Sequence, residues 1–81
     1  MNTILIKVER RGDMIIATSE DIDGFLIMER DNDDMLVSIG KVVPMFYKAK
    51  NKYVKVEDIS WENVGGIEGE GIKVSLIPSD G

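Results

Sequence analysis

The chain contains neither cysteine nor histidine. Without them there is no disulfide framework, no thiol nucleophile, no imidazole acid–base chemistry and no conventional zinc site. The lack of cysteine also agrees with a reducing compartment. No run approaches the roughly 18 consecutive apolar residues of a membrane span, and the N-terminus has no basic region followed by a long apolar stretch. A cytoplasmic protein with no membrane partner is therefore expected. Basic residues are the minority charge: ten Lys and Arg stand against fifteen Asp and Glu, a net charge of −5. Such a balance repels a phosphate backbone, which disfavours direct nucleic-acid binding and favours a basic partner.

What remains is ordinary for a folded chain, with 43% hydrophobic and 31% charged residues in 81 positions. That length makes a single domain, 1–81, with one modest core, and leaves no room for a separate cofactor domain. From Thr3 to Arg10 the sequence alternates, Ile4, Ile6 and Val8 falling on one face and Leu5, Lys7 and Glu9 on the other, which predicts a strand. Arg11, Gly12 and Asp13 form a tight reversal into a second strand, Met14 to Thr18. The turn dipeptide Asp23-Gly24 then leads to a third, Phe25 to Glu29.

Asp31, Asn32, Asp33 and Asp34 suit a helix start, because short carboxylates accept from the orphan amides there and complement the helix dipole. Met35, Leu36, Ile39, Val42, Val43, Phe46 and Tyr47 recur at three- and four-residue intervals as one buried stripe, and Lys48, Lys50 and Lys52 mark the far end. Pro44 cannot donate to the Gly40 carbonyl, so a kink or a break near Gly40 is expected. Beyond the helix, Tyr53 to Val56 suggests a short strand or extended connection. Residues 51–71 otherwise give no clear pattern, Ile59, Trp61 and Val64 being apolar anchors in a polar segment. Gly65, Gly66, Gly69 and Gly71 read as an acidic, glycine-rich connector, and Ile72, Val74 and Leu76 as a final strand. The expected fold is α+β: a three- to four-stranded, mainly antiparallel sheet with one helix packed on one face, in the order β-β-β-α-β.

Candidate chemistry is sparse. Ser38 and Lys41 have the S-x-x-K spacing of a serine nucleophile and its base, but the companion motifs are missing and both residues suit a solvated helix face. Asp31, Asp33 and Asp34 begin like a calcium loop, yet Leu36 stands where glycine is needed and Val42 where the bidentate glutamate belongs. Glu68 and Glu70 argue against a phosphate loop among the glycines. A carboxylate-metal nuclease built on Glu9, Asp13, Asp21 and Asp23 is chemically conceivable, since phosphodiester cleavage can run on magnesium and carboxylates; a solvated acidic rim explains the same residues. No catalytic residue, metal site or cofactor is assigned. The clustering is more informative: seven acids lie between Thr18 and Asp34 with Arg30 alone opposing them. Glu20, Asp21, Asp23 and Glu29 are the candidate contacts for a basic partner.

The order of elements, with Ala17-Thr18-Ser19-Glu20-Asp21-Ile22-Asp23-Gly24-Phe25 leading from the second strand into the third, resembles the HicB-like antitoxin superfamily, especially its short domain-of-unknown-function relatives. Ser19, Asp21, Ile22 and Gly24 supply the turn in order; Asp23 departs from it, where that family usually has proline. The likeness runs from Ile4 to Lys50 and, more weakly, from Ile72 to Ile77. It implies a partial RNase H-like sheet-and-helix fold without a catalytic role, which binds and covers a small basic toxin ribonuclease, frequently as a homo-oligomer. Many relatives carry a further DNA-binding domain, and few residues follow the last strand here. The alternative is a small acidic phage-type or mobile-element protein that blocks a nucleic-acid enzyme by mimicking phosphate charge.

Overall fold

The computed structural model describes residues 2–63 and 70–79. Five strands and one helix follow one another as β1 (Asn2–Arg11), β2 (Met14–Thr18), β3 (Leu26–Glu29), α1 (Asn32–Lys48), β4 (Val54–Asn63) and β5 (Glu70–Pro78). The strands form one sheet in the order β3-β2-β1-β5-β4, every neighbouring pair antiparallel. The α+β class and a covering helix are as expected; among the described residues the sheet has five strands rather than three or four.

Alternation along the strands decides which face is buried. Ile4 and Ile6 of β1, Ile15 and Ala17 of β2, Ile27 of β3, and Ile72, Val74 and Leu76 of β5 all point to one face, where Met35, Ile39 and Val43 of α1 meet them. Each of these residues is at most 7% exposed. The helix lies over this face with its backbone closest to β3 and β4.

The fifth strand comes from the segment whose pattern was unclear. Val56 and Ile59 are an odd number of residues apart, so in a regular strand they would face opposite ways. The pairing with β5 runs evenly to Val56↔Leu76, skips a residue, and resumes at Asp58↔Ser75 and Ile59↔Val74. This bulge absorbs one extra residue and keeps Val54, Val56, Ile59 and Trp61 all packed against the core. A period-two search misses β4 because the strand changes phase in its middle. The glycine-rich connector read at Gly65 to Gly71 falls largely on residues 64–69, outside the described residues; Glu70 and Gly71 belong to β5.

The helix begins and ends for identifiable reasons. Asp31 is its N-cap, with extended backbone, and its side chain accepts from the Asp34 amide at 2.8 Å. At the far end Asn51 takes a left-handed conformation, φ 61°, while the Lys52 amide donates back to the Tyr47 carbonyl and the Asn51 amide to that of Lys48, both at 2.9 Å. This is a Schellman-type stop with asparagine in the position usually held by glycine. The expected break near Gly40 does not occur: α1 is one element from Asn32 to Lys48 with Pro44 inside it. The buried stripe of Met35, Ile39 and Val43 brackets Gly40, and packing on the sheet holds the turn that lacks its Pro44 donor.

Candidate partner-binding surface

Thr18 is the last residue of β2, whereas β1 runs on beyond its partner Lys7 toward Asn2. Two side chains replace the departed strand. The Leu5 amide donates to Asp21 Oδ2 at 3.1 Å, and Ser19 Oγ donates to the Leu5 carbonyl at 3.0 Å. The Asp21 amide in turn donates to Ser19 Oγ at 3.1 Å. Both backbone groups of Leu5 are thus satisfied by the turn that follows β2. The turn closes where the Phe25 amide donates to the Ile22 carbonyl at 3.3 Å, with Gly24 at φ 76°, the positive value that a type II turn needs at its third residue. Ile22 and Phe25 are buried on either side of it, and the Phe25 ring meets the edge of Phe46 on α1 at 5.6 Å between centroids. The segment is therefore fastened to β1 by polar groups and to α1 by apolar ones. Burial, with a smaller contribution from the Asp21 charge, raises the pKa of the Tyr47 hydroxyl above its ordinary value.

The seven acids divide into two groups, because β3 lies between them. Glu20, Asp21 and Asp23 precede the strand; Glu29 ends it, and Asp31, Asp33 and Asp34 follow. Of the four candidate contacts, Glu20 pairs with Lys7 Nζ at 2.8 Å, both side chains exposed. Asp21 holds the Leu5 amide, and Glu29 accepts from Ser38 Oγ at 2.5 Å. Asp23 makes no hydrogen bond or ion pair among the described residues, and the same is true of Asp33 in the first turn of α1. At the helix start the Asp31 side chain, by hydrogen bonding and then by its charge, raises the Asp34 carboxyl above the usual carboxylate range. This end of the molecule carries more negative charge than it can neutralise internally.

A second polar constellation was not legible in the sequence. Arg10 Nε donates to Glu70 Oε2 at 2.6 Å, and Arg10 Nη2 donates to Glu70 Oε1 at 3.2 Å and to Asn32 Oδ1 at 2.8 Å. The guanidinium also lies 5.7 Å from the centroid of the Trp61 ring. The hydrogen bonds from Arg10 hold the Glu70 carboxyl below its ordinary range, and Glu70 raises Arg10 further. These residues and Glu62 line an open cleft of about 330 Å³. One arginine thus ties together β1, β5, β4 and the start of α1. The available signal was that Arg10 continues the inward stripe of Ile4, Ile6 and Val8, so its side chain falls at the margin of the core rather than on the open face.

The remaining motifs come apart. Ser38 bonds to Glu29 rather than to Lys41, which is exposed. Glu9 pairs with Arg11 at 3.0 Å while Asp21 is held on Leu5, and among the described residues no three acidic side chains gather closely enough to hold a metal ion. No described helix is long and apolar enough to cross a membrane. The sheet face away from α1 carries Leu26 and Met28, 59% and 56% exposed, and the outer side of α1 carries Val37 and Met45, also exposed. No family model, curated protein or solved structure matches this chain.

Proposed function

We propose that this chain is a non-enzymatic protein-binding domain that masks a small basic ribonuclease, as the antitoxins of the HicB-like superfamily do. The observation that carries the reading is the placement of unneutralised acid on either side of β3, with Asp23 and Asp33 unengaged among the described residues. Rim charges of this kind steer a partner of opposite sign and set the rate at which it is captured. The turn at Ser19, Asp21, Ile22 and Gly24, on which the resemblance rests, serves the sheet by fastening β1 and α1, which suits a scaffold better than a reactive centre. On this reading β1, β2, β3 and α1 form the partial RNase H-like framework, and the β4–β5 pair completes it.

The test is inhibition. Where a short reading frame beside this chain encodes a small basic protein, that protein is purified and given RNA, with and without the chain in equimolar amount. Suppressed cleavage, together with a complex that survives gel filtration, is expected. Cleavage that continues in molar excess of the chain, or RNA cleavage by the chain alone that disappears in Asp23→Asn, refutes the proposal.

A further inference from the structure

We infer that β3 is a docking edge for an extended segment of the partner, one with alternating apolar side chains and lysine or arginine at both of its ends. The inference rests on the partner-binding reading above and specifies how the partner is held.

β3 is the last strand in the order β3-β2-β1-β5-β4, so among the described residues one side of its backbone has no neighbouring strand. Amides and carbonyls on such an edge are a template for another strand. The opposite edge, β4, is guarded: Lys55, Glu57, Asp58 and Glu62 are exposed along it, and a bulge interrupts it after Val56. Charge and irregularity are the usual protections of an edge. β3 has no bulge, and its one charged residue, Glu29 at its end, is bonded to Ser38 of α1. Leu26 and Met28 stand on the uncovered face, and Ile16, opposite Met28 on β2, continues the apolar surface inward. An added strand would set its own alternate side chains beside Leu26 and Met28. The protection β3 does have is brevity, four residues or about 13 Å of edge.

Charge selects the occupant. Glu20, Asp21 and Asp23 lie before β3, and Asp31, Asp33 and Asp34 after it, with Arg30 as the cation between them. Suppose β3 paired with β3 of a second copy. An antiparallel arrangement would bring the leading acids of one chain against the trailing acids of the other, and a parallel arrangement would bring like ends together. Both orientations place carboxylates against carboxylates. A segment with an apolar centre and basic ends reverses the sign of both end contacts while keeping the backbone pairing. Complementarity therefore favours a foreign basic segment over self-association.

The probe is a synthetic peptide of about ten residues, alternating valine and threonine at its centre with paired lysines at each end, titrated into the isotope-labelled full chain. Expected are amide shift changes concentrated on Leu26 to Glu29 and Ile16, loss of those changes in Leu26→Lys/Met28→Lys, and binding weakened at least about tenfold between low and physiological salt. A peptide with glutamates in place of the lysines should leave the spectrum unchanged. Both substituted residues are exposed, so the double variant should keep the wild-type fold, checked by its own spectrum. Shifts centred on β4 or on Val37 and Met45 overturn the docking edge while leaving the partner-binding reading intact. No shift at millimolar lysine peptide overturns it as well. Concentration-dependent shifts at β3 without any peptide overturn it in favour of a second copy. The partner-binding reading itself fails only in the inhibition assay.

Discussion

Replacing Asp21 by alanine leaves the Leu5 amide without its acceptor at a place where β2 has already turned away from β1. Leu5 is half-buried and the bond is open to solvent on one side, so the loss sits near the middle of the range for a single hydrogen bond, about 1 kcal/mol. Ser19→Ala removes the companion bond to the Leu5 carbonyl at a similar cost. Because Ser19 Oγ also accepts from the Asp21 amide, the two changes are not independent, and their sum of about 2 kcal/mol is an upper bound for the double variant. For a chain of this size each kcal/mol corresponds to roughly 4–8 °C in Tm. Asp21→Asn keeps a side-chain oxygen and should recover at least half of the loss. Asp23→Ala, two residues away in the same turn, should change stability by less than about 0.5 kcal/mol. Thermal unfolding of the five variants measures the magnitudes, and hydrogen exchange at the Leu5 amide reports the bond itself. Equal Tm values for Asp21→Ala and Asp23→Ala, with unchanged exchange at Leu5, would refute the reasoning. The same comparison separates structure from recognition: Asp23→Asn and Asp33→Asn probe a binding role without disturbing the fold, whereas any Asp21 variant confounds the two.

Deleting Glu57 should be tolerated, because it removes the extra residue of the bulge and leaves Val54, Val56, Ile59 and Trp61 on one face; deleting Ser60 should lower Tm sharply or prevent folding by turning Ile59 and Trp61 apart. Pro44→Ala restores a donor for the Gly40 carbonyl inside a helix that is already continuous, and after allowance for lost ring packing it should add about 1 kcal/mol, read as a rise in urea midpoint. The Glu70 carboxyl is lowered in the folded protein, so its stabilisation is present above the ordinary carboxylate range and is lost as pH falls through the lowered value. Wild type should therefore exceed Glu70→Gln by about 0.5 kcal/mol at neutral pH, a figure kept small because the pair is about 40% exposed, and the two should converge in acid. A difference that persists undiminished at low pH would show that Glu70 contributes by packing alone.

The boundaries of β1 and β2 and the start of α1 were legible to within a residue or two because their signals are local. Alternation from Ile4 to Val8 depends only on the strand period, the Gly12 turn on its backbone freedom at φ 58°, and the helix start on the Asp31 side chain three residues from the amide it caps. The helix end was misjudged by a few residues because the lysines continue past it; Asn51 stops it through a backbone conformation that composition does not display. For a related reason Pro44 does not break α1. A local rule puts a cost on the missing bond, and the burial of Ile39 and Val43 against the sheet outweighs it.

The candidate surface divides along the same line. Sequence alone determined the excess of acid between Thr18 and Asp34 and the absence of histidine and cysteine, and hence the charge that a partner of the proposed kind would have to carry. It could not assign the acids their work. Asp21 and Leu5 are sixteen residues apart, Arg10 and Glu70 sixty, and no short-range period links either pair. The tertiary fold also set β3 at the sheet's edge and divided one run of acid into two groups around it. Strand order depends on which apolar faces can be buried together, a property of the whole chain, so an edge exists only once all five strands have found their neighbours.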